Sequence, residues 1–266
     1  MPEPTLDRRV VLSTAPNMRD LGGLPVAGGV FASGQVFRSA SLAELSDADR
    51  RAVSDLGVGT VYDLRTEDEW AAEPDRLPES TRLVHLDVLA DGKLSVAAVI
   101  GKLRGAPGAV NELLGDGAVQ QMLTESYRDF IRLPSALAAY RDLFLGLADP
   151  ARDGAALFHC TAGKDRTGWA AASLLMLFGA DEETVHADYL QTNDDLLPAF
   201  APLIEAAAAQ GVDPELLKAA FGVQASYLDA TLEEIEARYG TLEGYFSRGL
   251  SLDDETLVAL RERFVA

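Results

Sequence analysis

The chain of 266 residues contains one cysteine, Cys160, and only three histidines and two tryptophans. A lone cysteine excludes an intramolecular disulfide framework and any multi-cysteine zinc cluster. Long apolar runs are also lacking: the longest nearly continuous one, Trp169 to Ala180, falls well short of the roughly 18 residues a membrane-spanning helix needs. The first residues, MPEPTLDRRVVLSTAPN, show no basic stretch followed by an apolar one, so a cleavable export signal is not expected and a cytoplasmic location is. Basic residues are scarce. Lys and Arg number 23 against 42 Asp and Glu, a formal charge of −19, which argues against a nucleic-acid partner and against stable anchoring on anionic membranes. What is present, 48% hydrophobic and 24% charged, is ordinary globular composition away from the disordered regime.

The pattern along the chain alternates. A Gly- and Pro-rich entry over 5–40 reads as a small hairpin-bearing segment, and Ser46-Asp47 opens a helix that stops at Gly57. Apolar, β-rich runs at Val58–Leu64, Arg82–Leu86 and Ala155–His159 read as buried strands. Residues 101–117, rich in glycine, read as a mobile connection, and Val119–Leu147 as a helix bent at Pro134. From Thr167 onward the spacing predicts helices over 167–179, 181–190, about 198–210, 213–221, 225–239 and 252–264. The expected fold is α/β, a central mostly parallel sheet flanked by helices with a C-terminal helical extension.

The informative segment is LFHCTAGKDRTGW, residues 157–169. A buried strand delivers Cys160 into a short loop, and Arg166 stands at the start of an apolar helix. Successive backbone N–H groups turning into a helix N-terminus make an anion cradle, reinforced by the positive end of the helix dipole. Gly163 permits the tight path, and the planar Arg166 fork grips two oxygens of a tetrahedral anion. The donors that would hold a phosphoryl group would also favour the sulfur anion at the floor, a nucleophile needing no separate base. In-line attack of Cys160 on phosphorus would give a cysteinyl-phosphate, later hydrolysed by water, with no metal or other cofactor required.

This segment, HCTAGKDRTG, resembles the phosphate-binding loop HCxxGxxRTG of the cysteine-dependent protein-tyrosine phosphatase superfamily, and its AGKDR interior resembles a bacterial branch that includes phosphoinositide phosphatases. Asn17 to Gly23 (NMRDLGG), Phe37 to Ala40 (FRSA), Asp63 to Arg65 (DLR) and Asp188 to Leu190 (DYL) match that branch in order and approximate spacing. The resemblance implies a tyrosine-phosphatase-like fold in a single domain, 1–266, with Cys160 as nucleophile and Arg166 as phosphate clamp. Thr161, Ala162, Gly163, Lys164, Asp165 and Arg166 then line the cradle, and Thr167 offers its hydroxyl to the Cys160 sulfur or caps the helix. Lys164 would add positive charge at the mouth and favour substrates with more than one phosphate. Two aspartates compete as general acid: Asp165 inside the loop, and Asp91 on a loop after the Arg82–Leu86 strand, where related phosphatases carry a mobile aspartate; Asp87 stands behind them. His159 is expected to orient the loop, Asp63 and Arg65 to form a structural ion pair, and 191–229 to be a helical lid. The partners implied are phosphorylated proteins or phosphoinositides. An arsenate reductase or a phosphate-recognition module that does not turn over would use the same geometry; the absence of partner cysteines weighs against the first, and the presence of both Cys160 and Arg166 against the second.

Overall fold

The computed structural model describes residues 7–92 and 106–266. In chain order the elements are β1 (Arg19–Asp20), β2 (Pro25–Val26), β3 (Gly29–Val30), β4 (Val36–Ser39), α1 (Asp47–Asp55), β5 (Val58–Asp63), α2 (Glu67–Ala72), β6 (Arg82–His85), α3 (Pro107–Leu114), α4 (Ala118–Arg132), α5 (Pro134–Ala148), β7 (Ala155–His159), α6 (Arg166–Leu177), α7 (Glu182–Ala208), α8 (Pro214–Phe221), α9 (Ala225–Tyr239) and α10 (Asp254–Phe264). A short helical turn at Leu242–Gly244 and a π turn at Tyr245–Gly249 lie between the last two helices.

The main sheet has the order β1-β4-β7-β5-β6, with β1 antiparallel to β4 and the other neighbours parallel. Its central strand shows why the sheet must be covered twice. Along β7, Ala156 and Phe158 join the larger apolar core under α4, α5 and α6, while Ala155 and Leu157 join a second core with Phe37, Val53 and Val61. A strand alternates its side chains between faces, so a run apolar at every position is stable only when both faces are buried. The register aligns Ser39, His159, Asp63 and His85 as one row across the carboxyl edge of the four parallel strands. In open α/β sheets ligands bind outside that edge. There the chain leaves β7 and enters α6, whose residues Arg166 to Leu175 are all buried, as expected of a helix apolar on every side.

Local chemistry sets the boundaries. Ser46 caps α1 by accepting from Asp49 N–H, and Gly57 ends it in the left-handed region at φ 71°. Thr66 and Glu69 form a reciprocal capping box at α2. Pro134 divides the expected bent helix into α4 and α5.

Two expectations are corrected. Part of the glycine-rich connection at 101–117 lies outside the described residues, and from Pro107 it is helix α3, started by a proline at a position where its missing N–H costs nothing. The two helices expected over 181–190 and 198–210 are one, α7, with Pro198 and Pro202 inside it. The polar stretch between them resembles a loop in sequence, but its side chains are spent on tertiary bonds: Gln191 accepts from Arg8, Thr192 from Arg19, Asp195 from Arg9, and Asn193 bonds Val223 in both directions. Over 191–229, Phe200 stacks on Phe221 at 4.7 Å, so α8 folds back on α7. No helix among the described residues is long and apolar enough to cross a membrane.

Leu157 fills the smaller core and is fully buried. Leu157→Ala is expected to lower unfolding free energy by about 2–5 kcal/mol in urea titrations, because the surrounding strands cannot collapse onto the void.

Candidate active site

The loop after β7 has its backbone turned in two directions. Carbonyl groups face the protein: Thr161 O accepts from Ser41 N–H, Ala162 O and Gly163 O from Asn17 Nδ2, and Gly163 O also from Arg38 Nη2. The amides from Thr161 to Arg166 find no hydrogen-bond acceptor among the described residues. Gly163 sits at φ 67°, and a Cβ there would lie 2.2 Å from Ser39 O, so both conformation and space demand glycine. Cys160, directly after β7 and before these amides, is 3% exposed.

Arg166 begins α6 beside the loop. Its Nη1 donates to Glu69 Oε2 at 2.6 Å and to Leu64 O at 3.3 Å, and its Nη2 to Glu69 Oε1 at 3.1 Å and Thr161 Oγ1 at 3.3 Å. Thr161 Oγ1 in turn donates to Glu69 Oε1 at 2.8 Å. Burial works to lower the Arg166 pKa, but the neighbouring Cys160 and Glu69 outweigh it and hold the guanidinium well above its ordinary value. For Glu69, burial works upward and is outweighed by Arg166 and by bonds from Thr66 and Thr161, which bring the carboxyl down to about 2. The sequence shows Glu69 only as a capping-box partner of Thr66; nothing local signals that the same carboxylate reaches Arg166.

Lys164 and Asp165 complete the rim. Lys164 is buried, donating to Asp165 Oδ1 at 2.9 Å and to Gly222 O, past the end of α8, at 3.2 Å. The expected free charge at the mouth is therefore not what this side chain presents. Asp165 Oδ1 also accepts from Tyr127 Oη at 3.2 Å, and Tyr127 bonds Tyr189. Burial first, then the neighbouring phenol and carboxylate, hold the Tyr127 phenol far above its usual range, so it stays a donor. Asp165 and Arg166 line one end of a cleft of about 600 Å³, shared with Leu89, Asp91, Met122 and Phe130. Asp91 faces this cleft, but its Oδ2 accepts from Ser135 N–H at 3.0 Å, at the start of α5. Asp87 is engaged by the amides of Glu67 and Leu89. Thr167 Oγ1 is buried and has no hydrogen-bond partner among the described residues, so the bond expected to Cys160 or to the helix start is not formed.

Behind the loop, His159 bonds Cys160 O through Nδ1 and Asp75 Oδ2 through Nε2, and the side chains of His159 and Asp75 are both buried. Arg65 bridges Asp63 and Asp75. Asp63, Asp75 and His159 place ligand atoms within 4.8 Å of one another, close enough for a metal ion. The Arg65 guanidinium already lies on both carboxylates, which makes the cluster a closed ion-pair network around His159.

The chain matches the tyrosine phosphatase family over residues 10–266. It is 32% identical to a protein of Cupriavidus necator named as a tyrosine-protein phosphatase, covering 97% of this chain and 88% of that one. It is also 32% identical to the triple specificity protein phosphatase PtpB of Mycobacterium tuberculosis, covering 92% and 95% of the two chains, and to a tyrosine-protein phosphatase of Nostoc commune, covering 85% and 72%. The chain belongs to the tyrosine phosphatase family.

Because the Glu69 carboxyl is held at about 2 against an ordinary value of 4.5, its contact with Arg166 adds stability above pH 4.5 that is lost as the pH falls through 2. Acid denaturation of Glu69→Gln is therefore expected to be flatter than wild type between those limits. Circular dichroism across that range checks it, and matching curves would show that the contact contributes nothing.

Proposed function

We propose that this chain hydrolyses phosphotyrosine monoesters through a cysteinyl-phosphate intermediate. What supports this reading is the run of amides from Thr161 to Arg166, which find no acceptor among the described residues, between the buried Cys160 and Arg166 at the start of α6; we read them as a ring with Cys160 at its floor and Arg166 beside it. Such a ring offers donors to all three equatorial oxygens of a phosphoryl group while sulfur approaches phosphorus in line with the leaving oxygen. The backbone needs no reorganisation, because its carbonyls are already fixed on the far side. Arg166 neutralises charge as it develops, and Glu69 keeps the guanidinium in plane with the seat. His159, fixed by Asp75, bonds the Cys160 carbonyl and holds the nucleophile at the end of β7.

Asp165 is proposed as the acid that protonates the leaving phenolate and then draws a proton from water attacking the phosphoenzyme. It shares the nucleophile's loop and opens on the cleft. Asp91, tied to the first turn of α5, is assigned a capping role. Substrate class follows from depth and charge. Cys160 is nearly fully buried, and a nucleophile set that deep suits the long arm of phosphotyrosine. Among the described residues the cleft that Arg166 lines carries Asp91, Glu125, Asp129 and Asp165 against one further cation, Arg132, which is itself paired with Glu125 and Glu234, and Lys164 is spent on Asp165 and Gly222. A second phosphate would meet carboxylates there, so phosphoinositides are expected to be poorer substrates than a phosphotyrosine peptide. The 191–229 segment is proposed as the cover of this side of the site, joined to the loop through Gly222 and Lys164.

With EDTA present, wild type is expected to hydrolyse p-nitrophenyl phosphate and Cys160→Ser to lose at least about 10³-fold in kcat. Asp165→Asn should lower kcat by about 10²-fold and flatten the basic limb of the pH–rate profile, whereas Asp91→Asn should leave that limb in place. Equal rates for wild type and Cys160→Ser would overturn the mechanism, and loss of the limb in Asp91→Asn alone would transfer the acid role.

A further inference from the structure

Beneath the loop lies a buried polar layer that the chemistry above does not use. Gly163 O accepts from Arg38 Nη2 at 2.9 Å and from Asn17 Nδ2 at 2.9 Å. Both donors come from outside the loop, Arg38 from β4 and Asn17 from the turn before β1, and both are buried. Each is itself held. Arg38 Nη1 donates to Asp188 Oδ2 at 2.8 Å, and Asp188 also receives Arg8 and Arg19. Asn17 Oδ1 accepts from Arg19 Nη1, which fixes the amide so that its NH₂ faces the loop. Asn17 keeps φ at 62°, a left-handed conformation that asparagine tolerates better than other side chains with a Cβ.

A trans peptide points its C=O and the following N–H in opposite directions, and no peptide bond among the described residues is cis. Fixing Gly163 O downward therefore fixes the Lys164 N–H upward, toward the space that Cys160 and Arg166 enclose. A guanidinium on the carbonyl also polarises that peptide, since a charged donor makes the stronger hydrogen bond and hydrogen bonds in chains reinforce one another. We propose that Arg38 and Asn17 act together as positioning residues: from below the loop they aim the Lys164 N–H at the phosphoryl group and strengthen it as a donor when negative charge builds on the equatorial oxygens.

The ion cluster around Asp188 does not need the Gly163 contact to be satisfied. Asp188 already holds three guanidinium groups, which outweigh its burial and keep its carboxyl far below the usual range. Arg38 nonetheless extends its second Nη to the loop and leaves its own Nε buried without an acceptor among the described residues. A purely structural arginine would be expected to satisfy that nitrogen first, because an unpaired buried donor is unfavourable.

The inference rests on the phosphatase reading, and the test separates the two. In the full chain, Asn17→Gly removes the donor and suits the left-handed backbone, so it should fold. Its kcat on p-nitrophenyl phosphate is expected to fall about tenfold with KM within about threefold of wild type. Inhibition by vanadate, which mimics the five-coordinate transition state, should weaken by a similar factor, and inhibition by inorganic phosphate by less than about threefold. Asn17→Asp keeps the shape and the Arg19 contact but opposes an acceptor to Gly163 O, so it should lose more. Arg38→Lys should recover part of what Arg38→Met loses. Folded Asn17→Gly and Asn17→Asp proteins with wild-type kcat and vanadate inhibition would overturn the inference, as would a loss seen only in melting temperature or KM. If the Arg38 variants do not fold, the Asn17 pair decides. Wild type that neither hydrolyses the ester nor binds vanadate removes the phosphatase reading; active wild type with unaffected Asn17 variants removes only this inference.

Discussion

The contact between two backbones, Gly163 against Ser39, is the constraint on which the site depends. Ser39 O would lie 2.2 Å from a Cβ on Gly163, so the loop can be this close to β4 only as glycine. Closeness puts Gly163 O within reach of Arg38 and Asn17, and that direction of the carbonyls leaves the amides to face outward. Ser39 and His159 are partners in the parallel register of β4 and β7, so the sheet itself brings the two backbones together. A slip of one residue in that pairing would send the side chains of β4 to the opposite faces and remove Arg38 from beneath the loop.

Electrostatics around this contact runs against the overall composition. The chain carries a formal charge of −19, yet Arg8, Arg19 and Arg38 converge on one carboxylate under the loop, and Arg166 stands beside it. Burying so many guanidiniums is costly, and burial together with the Arg38 charge brings Arg19 down to about 10. Buried ion clusters are weak arguments for stability, because well-packed apolar groups often do as well. Their value here lies in direction. Each guanidinium is fixed by a carboxylate or an amide oxygen, and each points a donor at a defined acceptor. Asp188 organises this layer from α7, and Glu69 does the same for Arg166 from α2.

How far the sequence spoke depended on distance along the chain. The loop was legible because its parts are contiguous: strand, cysteine, glycine, arginine and apolar helix follow one another within residues 155–177, and the structure places them in that order. The parallel sheet was legible from strand runs apolar at every position. Glu69 was not, since its partner lies nearly a hundred residues away and its local capping role already accounts for it. Lys164 was misplaced for a related reason. A lysine in a loop is ordinarily exposed, and only the fold reveals that Gly222 O comes down upon it. The polar residues at 191–195 looked like a connection because their partners, Arg8, Arg9, Arg19 and Val223, are remote in sequence. Asn17, Arg38 and Asp188 stood in recognisable motifs, but a motif does not say which carbonyl its side chains hold.

Arg166 has a donor to spare beyond its contacts in the resting protein. A guanidinium has five N–H bonds. Nη1 spends its two on Glu69 and Leu64 O, and Nη2 spends its two on Glu69 and Thr161 Oγ1. Nε donates to no acceptor among the described residues. A phosphoryl group gripped by the fork would therefore take Nε together with one hydrogen of Nη2, and the weakest of the present contacts on Nη2 is the 3.3 Å bond to Thr161. Thr161 can yield it without loss, because its hydroxyl remains the donor to Glu69 at 2.8 Å. Glu69 need not leave for the anion to bind. Its contacts use the edge that carries Nη1 and Nη2 and leave Nε without an acceptor among the described residues, so in the proposed complex the carboxylate and the phosphoryl group would share the fork instead of competing for it.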